Sequence, residues 1–103
     1  MRREEWTAME GWAKQGKARA LGISHFCSKQ AEDILSISTV PIAVNQVQYH
    51  VGMGSAGNLA TDDKAFFNEK GILYQSFSPL CGPCDPPHNK ELITGGLVSR
   101  IGA

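Results

Sequence analysis

Three apolar runs of this sequence end in side chains that can donate and accept hydrogen bonds. The runs and their polar ends occupy Ala18–Phe26, Val44–His50 and Ile72–Leu80. A buried parallel strand has this pattern when its carboxyl end opens into a binding site. Hydroxyl, imidazole and side-chain amide groups supply both donors and acceptors there. The sequence therefore predicts a piece of an α/β enzyme whose site lies at one end of a parallel sheet.

A second candidate for chemistry is the tetrapeptide Cys81-Gly82-Pro83-Cys84, which has the form of a thioredoxin redox motif and follows a predicted strand. In a thioredoxin the motif begins a helix, which lowers the pKa of the first thiol. Here Asp85-Pro86-Pro87 follows, and only 19 residues remain after Cys84 for the later strands. A metal site from Cys81, Cys84 and His88 lacks an evident fourth ligand. We interpret the pair as reduced loop cysteines, with thiol-redox activity as the less favoured alternative.

Predicted helices alternate with the predicted strands. The strands cover residues 18–23, 42–48 and 72–77, so their starts lie 24 and 30 residues apart. The helices are Glu4–Gln15 ended by Gly16, one capped by Ser28, one capped by Thr61 and ended by Gly71, and a last one beginning within Leu92–Ile101. This spacing is typical of right-handed βαβ crossovers, in which all strands run in the same direction.

The expected fold class is α/β, a partial (β/α)8 TIM barrel with about three βα units of parallel sheet and flanking helices. A closed barrel needs roughly 250 residues, whereas this chain has 103. An open sheet of three strands would leave two unpaired parallel edges, which favour aggregation. We therefore expect residues 1–103 to be a fragment of one larger domain.

Charge, hydropathy and cysteine content indicate which partners and which cellular location to expect. Ten basic and ten acidic residues cancel, which argues against nucleic acid as a partner because phosphate binding needs a clustered basic excess. No signal peptide, twin-arginine segment or run of the ~18 apolar residues needed to cross a membrane is present, so no membrane partner is expected. Three cysteines suit a reducing cytosol better than a disulfide framework. The expected location is cytoplasmic.

The pattern as a whole resembles the aldo-keto reductases, NADPH-dependent oxidoreductases built on a (β/α)8 barrel. The segments that carry the resemblance are Trp6–Glu10 and Gly16–Ser24 for helix four and strand five, Asn45–His50 for strand six, Ser76–Leu80 for the Tyr-Ser-Pro-Leu that ends strand seven, and Leu97–Gly102 for the start of helix seven. Each match is weak alone, but all of them occur in order at the family's spacing.

The resemblance implies that Ser24 and Gln46 hydrogen-bond the carboxamide of the nicotinamide ring. An amide needs both donors and acceptors, and a hydroxyl with a side-chain amide supplies them. The family usually has Asn after this Ser, and here the residue is His25. A neutral imidazole also offers one donor and one acceptor, so His25 is expected to take part.

The resemblance also assigns cofactor contacts to the end of the third strand. Phe77 falls where the family has an aromatic ring stacked on the nicotinamide, a contact that fixes which ring face donates the hydride. Ser78 and Leu80 would lie along the pyrophosphate of NADPH. The expected substrate is a small-molecule carbonyl compound, an aldehyde or ketone reduced to an alcohol.

The residues that perform the chemistry in this family have no matching positions here. Its catalytic Asp, Tyr, Lys and His lie on earlier strands, and the basic motif for the 2′-phosphate follows the matched region. His50, Tyr49 and Tyr74 do not match the catalytic His or Tyr. Two functions thus stay open: a segment of an NADPH-dependent reductase that is inactive as 103 residues alone, and a non-catalytic truncated remnant of the same ancestry.

Overall fold

The structure, a computed structural model, describes residues 1–50, 63–80 and 93–103. Its helices and strands are α1 (Arg2–Lys14), β1 (Leu21–Ser24), α2 (Ser28–Leu35), β2 (Ile42–Gln48), α3 (Asp63–Glu69), β3 (Leu73–Phe77) and α4 (Gly96–Ile101). The three strands form one parallel sheet in the order β1-β2-β3. The predicted α/β class, with parallel strands joined through helices, is confirmed.

Most predicted boundaries lie close to the observed ones, and β2 matches at both ends. β1 begins at Leu21 instead of residue 18, because Leu21 pairs with the first residue of β2 and the residues before it have no opposite partner there. The N-cap of α2 is Cys27 instead of Ser28. Thr61, the expected cap of α3, lies outside the described residues.

One face of the sheet is covered by helices and holds the core. Trp6 of α1, only 1% exposed, packs there together with residues of α2, α3 and the strands. The buried cluster is Trp6, Leu21, Ile23, Ala31, Ile34, Ile42, Phe67 and Ile72. We call this side, which also carries Asn45 and Val47, the helix-covered face. Trp12, the other tryptophan of α1, is 53% exposed.

An irregularity near the start of the sheet sets which residues of β2 reach the core. Leu21 pairs with Ile42, but the next residue, Gly22, pairs with Val44, so Ala43 is an extra residue of β2. Because side chains alternate along a strand, one extra residue changes the face on which the following residues lie. Ile42 is thereby buried in the same cluster as Leu21, and Gln46 lies on the opposite face from Asn45.

A buried carboxylate ties α1 to the connection between α2 and β2. Glu10 accepts hydrogen bonds from the backbone N–H groups of Thr39 and Val40 at 2.6 and 3.0 Å. It also accepts bonds from the Thr39 hydroxyl and the Trp6 indole, both at 2.8 Å. Burial acts to raise the pKa of Glu10, but these donors stabilise the carboxylate more strongly and lower the pKa to about 2. The Lys14 ammonium, one turn later on α1, lies 4.0 Å from Glu10 Oε2.

Glycines end two of the helices as predicted. Gly16 follows α1 with φ +73°, and Gly71 follows α3 with φ +70°. This left-handed conformation is the one that a residue without a Cβ adopts freely. No helix within the described ranges is long and apolar enough to cross a membrane.

Candidate functional site

The side of the sheet opposite the helices, which we call the open face, carries side chains in three rows across the strands. The row partners are Gly22–Val44–Leu73, then Ser24–Gln46–Gln75, then Gln48–Phe77. Partners in a parallel register point to the same side of the sheet. The rows therefore change from apolar at the amino ends of the strands to polar in the second row, and the third row combines an amide with an aromatic ring.

The second row brings together a hydroxyl and two side-chain amides. Ser24 and Gln46 are direct register partners, as are Gln46 and Gln75. The Gln46 Nε2 group donates to Gln75 Oε1 at 3.0 Å, and all three side chains are exposed. Within the described residues, this bond leaves the Gln46 carbonyl oxygen, the second N–H of Gln46 and both N–H groups of Gln75 for a further partner. Such a row can hydrogen-bond a neutral ligand that has both donors and acceptors.

Two rings from the outer strands meet above the end of β2. His25 directly follows β1 and Phe77 ends β3, and their ring centroids lie 5.4 Å apart at an interplanar angle of 46°. The His25 backbone N–H donates to the Gln46 carbonyl at 2.9 Å. The polar row and an aromatic pair thus lie at the same end of the sheet, where sequence reasoning expected them together.

Ser78 and Leu80 follow β3 at the same end. Ser78 is half-buried and has a φ of +51°, a left-handed conformation that is uncommon for a residue with a Cβ. Leu80 is exposed. Among the non-glycine residues that the structure describes, only His25 shares this conformation with Ser78, and the two follow the ends of β1 and β3.

Gln75 was missed by the sequence analysis. The signal that could have found it is the two-residue alternation of a strand: Gln75 lies two positions before Phe77, so both must share a face. The registers with β2 then place it beside Gln46. That pairing depends on tertiary structure and cannot be read from composition.

Other candidates from the sequence fall elsewhere. Cys81, Cys84 and His88 lie outside the described residues. Within the part of the chain that the structure describes, no three His, Cys, Asp or Glu side chains are grouped to hold a metal ion. His50, which does not match the family's catalytic His, is buried just after β2.

Comparison with known proteins identifies the family. The sequence model of the Aldo/keto reductase family matches residues 2–83, most of the chain. This protein belongs to the aldo/keto reductase family. The arc of parallel strands with flanking helices is accordingly part of a TIM-barrel fold, as a solved structure assigned as a 2,5-diketo-D-gluconic acid reductase B also indicates. That structure superposes with a TM-score of 0.63 at 30% sequence identity, over 82% of this chain and 29% of its own.

Curated relatives include proteins from animals and plants. An aldo-keto reductase family 1 member A1-A of Danio rerio is 50% identical over 82% of this chain, and the A1 member of Xenopus tropicalis is 36% identical over 79%. A D-galacturonate reductase of Fragaria ananassa is 40% identical over 73%. The chain covers only 24%, 23% and 22% of these three relatives, about a quarter of their length.

Proposed function

We propose that this chain forms the nicotinamide side of the cofactor site in an NADPH-dependent aldo-keto reductase. The observation that carries the proposal is the register pair Ser24–Gln46 at the carboxyl end of the open face. These are the residues that the family resemblance assigns to the carboxamide, and their hydroxyl and amide groups match its donors and acceptors. When bound, the cofactor supplies the hydride that reduces an aldehyde or ketone to an alcohol.

The residues around this pair complete the proposed site. Phe77 would present its ring to the nicotinamide, and His25 would add a polar group beside Ser24. Ser78 and Leu80 would lie along the pyrophosphate through a hydroxyl and backbone N–H groups. The 5.4 Å contact between the His25 and Phe77 rings supports their placement in one site.

The proposal assigns the cofactor contacts to this chain and the catalytic residues to other parts of a longer protein. We propose that residues 1–103 are part of a single barrel domain, located in the cytoplasm, whose other strands supply the catalytic Asp, Tyr, Lys and His. Without a proton donor within reach of the carbonyl oxygen, the carbonyl is not activated for reduction. The 103-residue chain alone should therefore not oxidise NADPH in the presence of a simple aldehyde.

Substitutions in the protein produced from the complete open reading frame test the cofactor assignment. Gln46→Ala should raise the KM for NADPH by about tenfold, because a lost pairing worth about 1.4 kcal/mol changes an equilibrium by that factor. Phe77→Ala should raise KM or lower kcat, while Phe77→Tyr should preserve both because the ring is kept. Gln15→Ala makes the same change as Gln46→Ala at an exposed position after α1 and should change neither constant. Unchanged kinetics in Gln46→Ala and Phe77→Ala would contradict the assignment.

The alternative is a non-catalytic remnant of the family. The open reading frame distinguishes the two, since a reductase barrel of ~250 residues requires roughly 150 residues in addition to the 103 of this segment. The less favoured thiol-redox function makes a separate prediction: measurable turnover in an insulin-reduction assay that is lost in Cys81→Ser. We expect no such turnover.

A further inference from the structure

The segment that follows β1, residues 25–28, is held at four consecutive backbone N–H groups. Each group donates to a different residue, and the acceptors come from β2, α2 and α3. The bonds are His25 N to Gln46 O at 2.9 Å, Phe26 N to Asn45 Oδ1 at 3.3 Å, Cys27 N to Gln30 Oε1 at 3.2 Å, and Ser28 N to Asp63 Oδ1 at 3.1 Å. Three of these acceptors are side-chain oxygens, so this segment is fixed by particular residue types as well as by the ladder of the sheet.

Asn45 makes the most demanding of these contacts. Its side chain is 0% exposed and lies on the helix-covered face, with Ile23 and Tyr74 as register partners. A buried amide is costly unless its groups are hydrogen-bonded. Asn45 meets this condition at a single residue, because Oδ1 accepts from the Phe26 N–H and Nδ2 donates to the Phe26 carbonyl at 2.8 Å. The amide thus bonds both backbone polar groups of Phe26, its N–H and its carbonyl.

The residue before Phe26 has the conformation that needs such support. His25 has a φ of +59°, which is unfavourable for a residue with a Cβ. Strained conformations persist where the surrounding structure determines them. Here the bonds of Gln46 and Asn45 fix the peptide groups on either side of His25, and the imidazole is thereby directed to Phe77.

We infer that Asn45 is a positioning residue for the cofactor site. It acts from the opposite face of the sheet, through its hydrogen bonds to the Phe26 backbone. These bonds position Ser24 beside Gln46 and the His25 ring beside Phe77. This inference rests on the proposed function. Asn45 itself faces the helices, so it has no contact with a ligand on the open face.

The test uses the protein produced from its complete open reading frame. Asn45→Leu keeps the approximate size of the side chain and removes both hydrogen bonds. Asn45→Ser is a milder change, whose smaller side chain leaves room for water at the Phe26 peptide, and it serves if the Leu variant does not fold. Val47→Ala is the matched control, since Val47 is a buried residue of the same face and strand with no hydrogen-bonding side chain.

The readouts are the Kd for NADPH, the separate values of KM and kcat, the Tm, and hydrogen exchange at the amides of residues 25–28. We expect Asn45→Leu to raise the Kd for NADPH by about tenfold, equivalent to 1.4 kcal/mol, and to speed exchange at Phe26. Asn45→Ser should do both to a smaller extent. Val47→Ala should lower the Tm and leave the Kd unchanged.

Two results would overturn the inference while the proposed function stands. One is a normal Kd for NADPH in a folded Asn45 variant. The other is an equal rise of the Kd in Val47→Ala at the same loss of Tm, which would show general destabilisation. If the unsubstituted protein does not bind NADPH, the proposed function fails, and the cofactor-positioning role fails with it.

Discussion

Asn45 and Gln46 are neighbours on β2 with the same functional group, and the two faces of the sheet give them opposite tasks. Asn45, on the helix-covered face, uses both groups of its side-chain amide in hydrogen bonds to the backbone of Phe26. Gln46, on the open face, is exposed and bonds only one other side chain within the described residues, that of Gln75. Buried polar groups must find partners inside the protein, whereas exposed ones are free to exchange theirs for a ligand.

The same contrast holds for the rest of the two faces. On the helix-covered side, Glu10 is also directed at backbone, namely the N–H groups of Thr39 and Val40. On the open face, polar side chains meet one another in a row across the strands. The direction of a polar group's hydrogen bonds therefore separates residues that hold the fold from residues suited to binding. Four predictions test this distinction, from the largest expected effect to the smallest.

Removing a ring from the helix-covered face should have the largest effect on stability. Phe67 of α3 is fully buried in the core cluster. In the complete protein, Phe67→Ala should lower the free energy of unfolding by about 3–5 kcal/mol, measured by urea titration. Phe66→Ala removes the same atoms from the neighbouring half-buried position and should cost less. Equal losses would mean that the helix-covered face is not the principal core.

A leucine on the open face tests whether further barrel strands cover that face. Leu73 is 62% exposed in this structure. In the 103-residue chain, Leu73→Ala should change stability by no more than about 0.5 kcal/mol. In the protein from the complete reading frame, where a closed barrel would bury this position, the same change should cost about 2 kcal/mol or more. A negligible cost in both would contradict the proposal that this chain is part of a barrel.

Acid should weaken the helix-covered face through Glu10. The pKa of Glu10 lies near 2 when folded and near its ordinary value of 4.5 when unfolded. The unfolded chain therefore binds the proton first, so the stabilisation by Glu10 is complete above about pH 4.5 and is lost as the pH falls towards 2. Thermal melts between pH 6 and about 2.5 should show this loss.

Substitutions separate this contribution from other acidic groups. Glu10→Gln should be less stable at neutral pH and should lose less stability on acidification. Glu5→Gln makes the same change at an exposed position of α1 and should leave the acid dependence as it is. The assignment would be wrong if Glu10→Gln and the unsubstituted protein had parallel acid profiles.

The smallest effect on stability is expected at Gln46. Its exposed bond to Gln75 can be replaced by water, so Gln46→Ala should alter the free energy of unfolding by within about 0.5 kcal/mol. Urea titration of Gln46→Ala and of the Asn45 variants compares the loss of unfolding free energy at the two adjacent positions. A loss at Gln46 as large as that at Asn45 would remove the distinction between the faces.

The sequence predicted elements well where apolar patterning was unambiguous. β2 was predicted over residues 42–48 because Pro41 precedes an apolar run that ends in polar residues, and the observed bounds agree. β1 was predicted three residues too early, since a strand's start depends on its pairing partner and not on its own composition. The N-cap at Cys27 was missed because the hydroxyl of Ser28 was taken as the cap, whereas the local capping box joins Cys27 to Gln30, three residues later.

The candidate site was predicted in outline and incompletely in its parts. The grouping of Ser24, Gln46 and Phe77 at one end of the sheet follows from parallel strands with polar carboxyl ends, and the structure brings these residues to that end. Their binding role stays a prediction. The sequence did not predict the tasks of Glu10 and Asn45, because both depend on which backbone groups lie opposite after folding.

The strand order β1-β2-β3 has a consequence for how the polypeptide is assembled during synthesis. Among the three strands that the structure describes, each pairs with the one made just before it, and none lies between two earlier ones. The sheet can therefore extend at a single growing edge as the chain leaves the ribosome, with only the connection between consecutive strands to close at each step. Glu10 fits this order of assembly. Helix α1 is made first, so its carboxylate is already present when the backbone N–H groups of Thr39 and Val40 emerge and need an acceptor.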